Sequence, residues 1–135
     1  MPIMQWDTSL DVGVEAMNRE HREILALMNR LYDADRAGQH GAVINQLVAD
    51  LGEVCVKHFA DEEAFMRQVG YQGLASHQEL HQRLLKRYGE FAAQIKARWG
   101  APDDAFFHFL KFWLTSHIKG IDMKYGDHVR GGMAA

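Results

Sequence analysis

The chain has 135 residues, one domain's worth, and 47% of them are hydrophobic, enough for a real core and too many for a disordered chain. Fifteen basic residues against 18 acidic ones, a formal charge of −3, give no electrostatic case for nucleic acid or an anionic membrane, and a lone cysteine, Cys55, excludes an intrachain disulfide framework or a cysteine-based zinc finger. No stretch approaches eighteen consecutive apolar residues, and the N-terminus lacks a basic start followed by an apolar segment, so neither a membrane span nor a secretory leader is expected, and a cytoplasmic location is. The unusual count is histidine: eight, against six lysines.

Residues 1–17 read as an extended, packed arm with Trp6, Leu10, Val12 and Val14 as its apolar contacts. Asn18 is the expected N-cap of a first helix, with Glu20 and Glu23 favouring its start. His21, Ile24, Leu25, Met28, Leu31 and Tyr32 then fall on one helical face, and Gly38 and Gly41 bracket the end. A second stripe runs from Ile44 through Leu47, Val48, Leu51, Val54, Cys55, His58, Glu62 and Phe65 to Met66, closed by Gly70 and Gly73. Ser76 or a residue just before it opens a third helix with Leu74, His77, His81, Leu84, Leu85, Tyr88, Phe91 and Ile95 on its face. Residues 99–104 form a linker that contains Pro102 and ends in capping aspartates. The fourth helix carries Phe106, Phe109, Leu110, Trp113, Leu114, His117 and Ile121. Four amphipathic helices with short links predict an all-α, up-down-up-down antiparallel four-helix bundle over 18–125, with the arm before it and a flexible, glycine-rich tail over 126–135.

Every apolar stripe contains a histidine. His58 and Glu62, and His77 and His81, are four residues apart, a spacing that puts both side chains on one face within reach of a common metal. His21 and His77 lie near helix starts and His58 and His117 near helix ends, so alternation of direction brings all of them to one end of the bundle. A single buried histidine is usually a hydrogen-bonded core residue. Five on converging stripes, each costing about 1–3 kcal/mol if unpartnered, call for a shared partner, and a metal supplies one. Imidazole and carboxylate without thiolate suit iron, zinc, copper or nickel; five histidines exceed one ordinary site, so two ions are expected, with Glu62 a candidate bridge. His108, about 180° round its helix from His117, His40 in the Gly38–Gly41 loop and His128 in the tail are expected at the surface. Cys55 is expected to fill core space.

The succession His21, His58-Phe59-Ala60-Asp61-Glu62, His77-Gln78-Glu79-Leu80-His81 and His117-Ile118-Lys119-Gly120-Ile121-Asp122 resembles the hemerythrin family in its His, HxxxE, HxxxH and HxxxxD pattern, in order and over nearly the whole chain. The resemblance implies two irons. His77, His81 and His117 would hold one and His21 and His58 the other, with Glu62, Asp122 and an oxo or hydroxo group as bridges. Dioxygen would bind at the open position of the two-histidine iron, the pair being ferrous when deoxygenated and ferric in the oxy and autoxidised met forms. Phe59, Trp113, Leu114 and Ile118 would line the dioxygen pocket. Asp122 enters by resemblance alone: five residues from His117 it sits about 140° away on a regular helix, so the helix is expected to distort there, with Gly120 a plausible place.

The function expected is reversible dioxygen binding, not catalysis, by a monomer that stores, delivers or senses oxygen. An oxygen-consuming enzyme and an electron donor for the met form are its possible partners. A diiron oxidase, peroxidase or nitric-oxide-handling enzyme on the same scaffold is the alternative, and a ligand-sensing interaction module a third.

Overall fold

The computed structural model describes residues 3–134. The long periodic segments become α1 (Glu15–Arg36), α2 (Ala42–Gln68), α3 (Leu74–Ala97) and α4 (Asp104–His117). A five-residue π-helical segment, Ile118–Asp122, leads from α4 into α5 (Met123–Ala134), so the fourth rod continues past the expected end of the bundle. No strand occurs among the described residues. The fold is the expected all-α four-helix bundle.

The stripes read from the sequence form its core. Ile24, Met28 and Leu31 from α1, Ile44 and Leu51 from α2, and Phe106 and Leu110 from α4 are all fully buried. Phe91 and Ile95 of α3 close the same core. The links are short, and two of them touch backbone to backbone at the end of the bundle remote from the histidines. Gly41 and Gly100 both adopt positive φ (+80° and +78°), and a side chain at Gly100 would fall 2.4 Å from the Gly41 carbonyl oxygen. Only glycine meets both demands.

Two boundaries differ from expectation. Helix α1 begins at Glu15 with Val14 in the capping position, and Asn18 lies one turn inside it. The Asn18 side chain serves the arm instead: its Oδ1 accepts from the Val12 amide at 3.0 Å and its Nδ2 donates to Asp11 Oδ1 at 2.7 Å. Asn29, three turns on, repeats the device, accepting from the Ile3 amide at 2.9 Å and donating to the Met4 carbonyl at 3.0 Å. The arm is thus pinned to α1 by two asparagines, and it includes a short 3-10 turn at Thr8–Leu10 rather than being extended throughout. Helix α3 starts at Leu74, just before Ser76, as expected. The tail expected over 126–135 is helical as far as Ala134, with Ala135 outside the described residues. At the linker the capping aspartate is as expected: Asp103 accepts from the Phe106 amide at 3.0 Å.

The arm and α5 meet at Gly126. A side chain there would lie 1.9 Å from the Val12 carbonyl oxygen, so the arm seats on α5 only because the residue is glycine. Substitution Gly126→Ala is expected to destabilise by about 1–3 kcal/mol through overpacking. Gly89→Ala, on the open face of α3 with nothing within 4 Å, is expected to stabilise by about 0.5–1 kcal/mol. Denaturant unfolding of the two variants checks this; equal effects would contradict the seating of the arm.

Candidate metal centre

Seven polar residues meet inside the end of the bundle where α1 and α3 begin and α2 and α4 end. His21, His58, Glu62, His77, His81, His117 and Asp122 are all buried, with Glu62 and Asp122 fully so. Their inward atoms form two overlapping groups. Glu62, His77, His81, His117 and Asp122 each offer a ligand atom within 4.8 Å of one another, and so do His21, His58, Glu62 and Asp122. The two carboxylates belong to both groups. His40, His108 and His128 are exposed, as expected; His128 Nε2 bonds the Val69 carbonyl at 3.0 Å.

Asp122 reaches the centre because the helix changes its period. Its segment is π-helical, and a π turn closes at i+5 rather than i+4. A residue five places after His117 therefore comes round onto nearly the same face. Asp122 Oδ1 lies 3.1 Å from His117 Nε2 and 2.9 Å from His77 Nε2, and Oδ2 lies 3.1 Å from His21 Nε2. The expected distortion is present. Gly120 sits exposed within it with open space where a side chain would be, so the π turn does not depend on glycine's lack of one.

The imidazoles are held by contacts with their surroundings. Phe59 stacks on His81 with ring centroids 3.9 Å apart and planes 10° from parallel. His58 Nδ1 donates to Glu20 Oε1 at 2.7 Å, and His81 Nδ1 to Glu63 Oε2 at 2.8 Å. Tyr125 donates its hydroxyl to Glu62 Oε2 at 2.8 Å, fully buried. These three supporting residues were not singled out as site residues in the sequence. Tyr125 follows Asp122 by three places and so shares its face, a readable signal. Glu20 lies in the first turns of α1, where its sequence position suggests only support for the helix start; its partner, His58, lies on another helix, which no local pattern reveals.

Electrostatically the centre is two carboxylates facing five imidazoles, and among the described residues no lysine or arginine pairs with Glu62 or Asp122. Burial alone would raise the Glu62 carboxyl and lower the imidazoles; the mutual hydrogen bonds reverse both tendencies. Four histidines hold Glu62 well below the usual carboxylate range. Against its own burial, His58 is pushed up to about 10 by Glu20 and Glu62, and His77 up to about 9 by Asp122 and Glu62. Protons alone nevertheless leave the set incompletely satisfied. His21 Nε2, His77 Nδ1 and both Asp122 oxygens are buried without a properly formed hydrogen bond, and the Nε2 atoms of His77 and His117 face each other at 3.2 Å. A buried nitrogen lone pair and a carboxylate with nothing bonded to them are what a cation satisfies. The residues present fit a pair of metal ions bound through imidazole and carboxylate.

Comparison with known proteins agrees with the geometry. Residues 12–129 match the family model described as the hemerythrin HHE cation binding domain. The chain belongs to the hemerythrin family. A bacteriohemerythrin of Stenotrophomonas maltophilia is 30% identical over 130 residues, 96% of this chain and 84% of that one. A myohemerythrin of Riftia pachyptila is 37% identical over 122 residues, covering 89% of this chain and 88% of the relative. A crystal structure of a leucine-to-alanine mutant of hemerythrin superposes with a TM-score of 0.85 at 25% identity, over 94% of this chain and 97% of that one.

The raised histidines give the metal-free protein a definite pH dependence. The stabilisation from protonated His58 and His77 is complete below the ordinary histidine value of 6.5 and is lost as pH rises toward about 10 and about 9 respectively. The contribution from Glu62 runs the other way, present above its ordinary value of 4.5 and lost on acidification. The metal-free protein should therefore melt at progressively lower temperature from pH 6.5 to pH 10. Metal binding, which needs those imidazoles deprotonated, should tighten over the same window. Thermal melts with and without metal test this, and a metal-free melting temperature flat across that window would contradict it.

Proposed function

We propose that this chain binds dioxygen reversibly at a carboxylate-bridged diiron centre, and that its role is storage, delivery or sensing of oxygen rather than catalysis. The observation that carries the reading is the pair of overlapping groups sharing Glu62 and Asp122. On this reading His77, His81 and His117 would hold one iron, His21 and His58 the other, and Glu62 and Asp122 would be shared between them. Two irons so held would supply reversible binding of dioxygen.

The chain's own residues shape that chemistry. Three imidazoles on one side and two on the other make the halves unequal, so the two-histidine half would leave its iron one protein ligand short, and a small ligand would bind there. The surroundings are apolar: Phe59, Trp113, Leu114 and Ile118 are all buried, Phe59 lies 5.7 Å from His58 of the two-histidine half and 6.1 Å from His117, and Trp113 meets Phe59 edge-on at 5.9 Å. We assign these four to the lining of the dioxygen pocket. Beyond Phe59 and Trp113 a small cavity bounded by Cys55, Leu84, Leu85, Tyr88 and Phe109 continues the apolar environment. Such a lining admits a small apolar gas and keeps water and protons from the bound form. Cys55 takes no part: burial pushes its thiol up to about 12, so it stays protonated and acts as core filler. Tyr125 donates to Glu62 Oε2, the oxygen that also faces His21 and His58, and so restrains that carboxylate. No described helix is long and apolar enough to cross a membrane.

The test is anaerobic reconstitution with ferrous iron followed by admission of air. A visible charge-transfer band that disappears when oxygen is withdrawn supports reversible binding. Absence of the band, or steady turnover of peroxide or nitric oxide by the loaded protein, contradicts it. His77→Ala and Glu62→Ala are each expected to lose most bound iron while keeping helical circular dichroism, because the remaining core is apolar and continuous. His108→Ala is expected to bind iron like the parent. Iron analysis of the purified variants checks the assignment of faces.

A further inference from the structure

Each half of the centre has one imidazole anchored from outside, and the geometry points to Glu20 and Glu63 as paired positioning residues, one for each iron. This rests on the two-iron reading above. Glu20, on α1, accepts from Nδ1 of His58 on α2; Glu63, on α2, accepts from Nδ1 of His81 on α3. His58 belongs to the two-histidine half and His81 to the three-histidine half. The Nδ1 atoms of His21 and His77, by contrast, have no partner. One anchored ring in each half is therefore a property of the arrangement, not of every histidine in it.

The physical effect is specific. A ring that gives its Nδ1–H to a carboxylate must present Nε2 inward, so its orientation is fixed before a metal arrives. The carboxylate makes that imidazole the stronger donor and lends negative charge to its half of the centre. Both glutamates are only about one-fifth exposed, at 21% and 23%, so water weakens the interaction less than it would at the surface. Because each bond also crosses between helices, Glu20 ties α1 to α2 and Glu63 ties α2 to α3 at the height of the metals.

Titration of the metal-free protein with Co²⁺ alone tests this, on the parent and on E20A, E63A, the double alanine variant, E20Q, E63Q and D61N. Asp61 lines the same surface hollow as Glu20 and pairs with Lys57 at 3.6 Å, so D61N removes a nearby charge without removing an imidazole anchor. The parent is expected to take up two ions per chain. E20A and E63A should each weaken one of the two by about 10- to 100-fold and leave the other near its parent affinity; the double variant should weaken both. The glutamine variants keep an acceptor and lose the charge. They should retain both ions with a smaller loss, and when loaded with iron should show a raised midpoint potential, since the ferric state loses compensating charge. D61N should match the parent. If E20A and E63A titrate like the parent, the positioning role is overturned and the two-metal reading stands. If each alanine variant weakens both ions equally, with a lowered melting temperature of the metal-free protein, the residues are merely structural and the inference fails. If the parent binds fewer than two ions, the two-metal reading itself is overturned, and the inference with it.

Discussion

The structure turns on two buried carboxylates, Glu62 and Asp122, that no lysine or arginine among the described residues neutralises. Burying an unpaired charge is among the most expensive acts in folding. Five imidazoles converge on them from α1, α2, α3 and α4, and the carboxylates raise His21, His58 and His77 against their own burial. The same side chains are the ones that would hold a metal. The bundle geometry follows from the need to bring them to one height: α1 and α3 contribute residues near their starts, α2 and α4 residues near their ends.

Division of labour along the bundle follows from this. At the end remote from the centre the two inter-helix links pack backbone to backbone at Gly41 and Gly100. The histidine end carries the local irregularities. The π turn at Ile118–Asp122 lies there, and so does the arm, clamped by Asn18 and Asn29 and seated on Gly126. The π turn gives Asp122 its position. The supporting contacts from Glu20, Glu63, Tyr125 and Phe59 reach the centre from three different helices and leave its rings little freedom.

Much of this was legible in the sequence, for identifiable reasons. Amphipathic periodicity reports burial directly, so the stripes of Ile24, Leu51 and Leu110 and the faces of His21, His58, His77, His81 and His117 could be read without coordinates. The exposure of His108 followed from the same arithmetic. Asp122 could not be found that way, because period counting assumes a regular α-helix and the helix is not regular there; only resemblance to a family supplied it. Glu20 and Glu63 were missed because their partners sit on neighbouring helices. The expected cap at Asn18 failed for a related reason: its side chain satisfies the arm's backbone rather than its own helix. Helicity beyond residue 125 was hidden by the glycines of the tail, whose low propensity is overridden by Tyr125 packing into the centre and Gly126 against the arm.

The proposed sharing of Glu62 and Asp122 by two irons is decided by diffraction from crystals of the iron-loaded protein, collected on both sides of the iron absorption edge. Two anomalous peaks are expected, one among His77, His81 and His117 and the other beside His21 and His58, both in contact with Glu62 and Asp122. A single peak, or iron at His40, His108 or His128 instead, would contradict it.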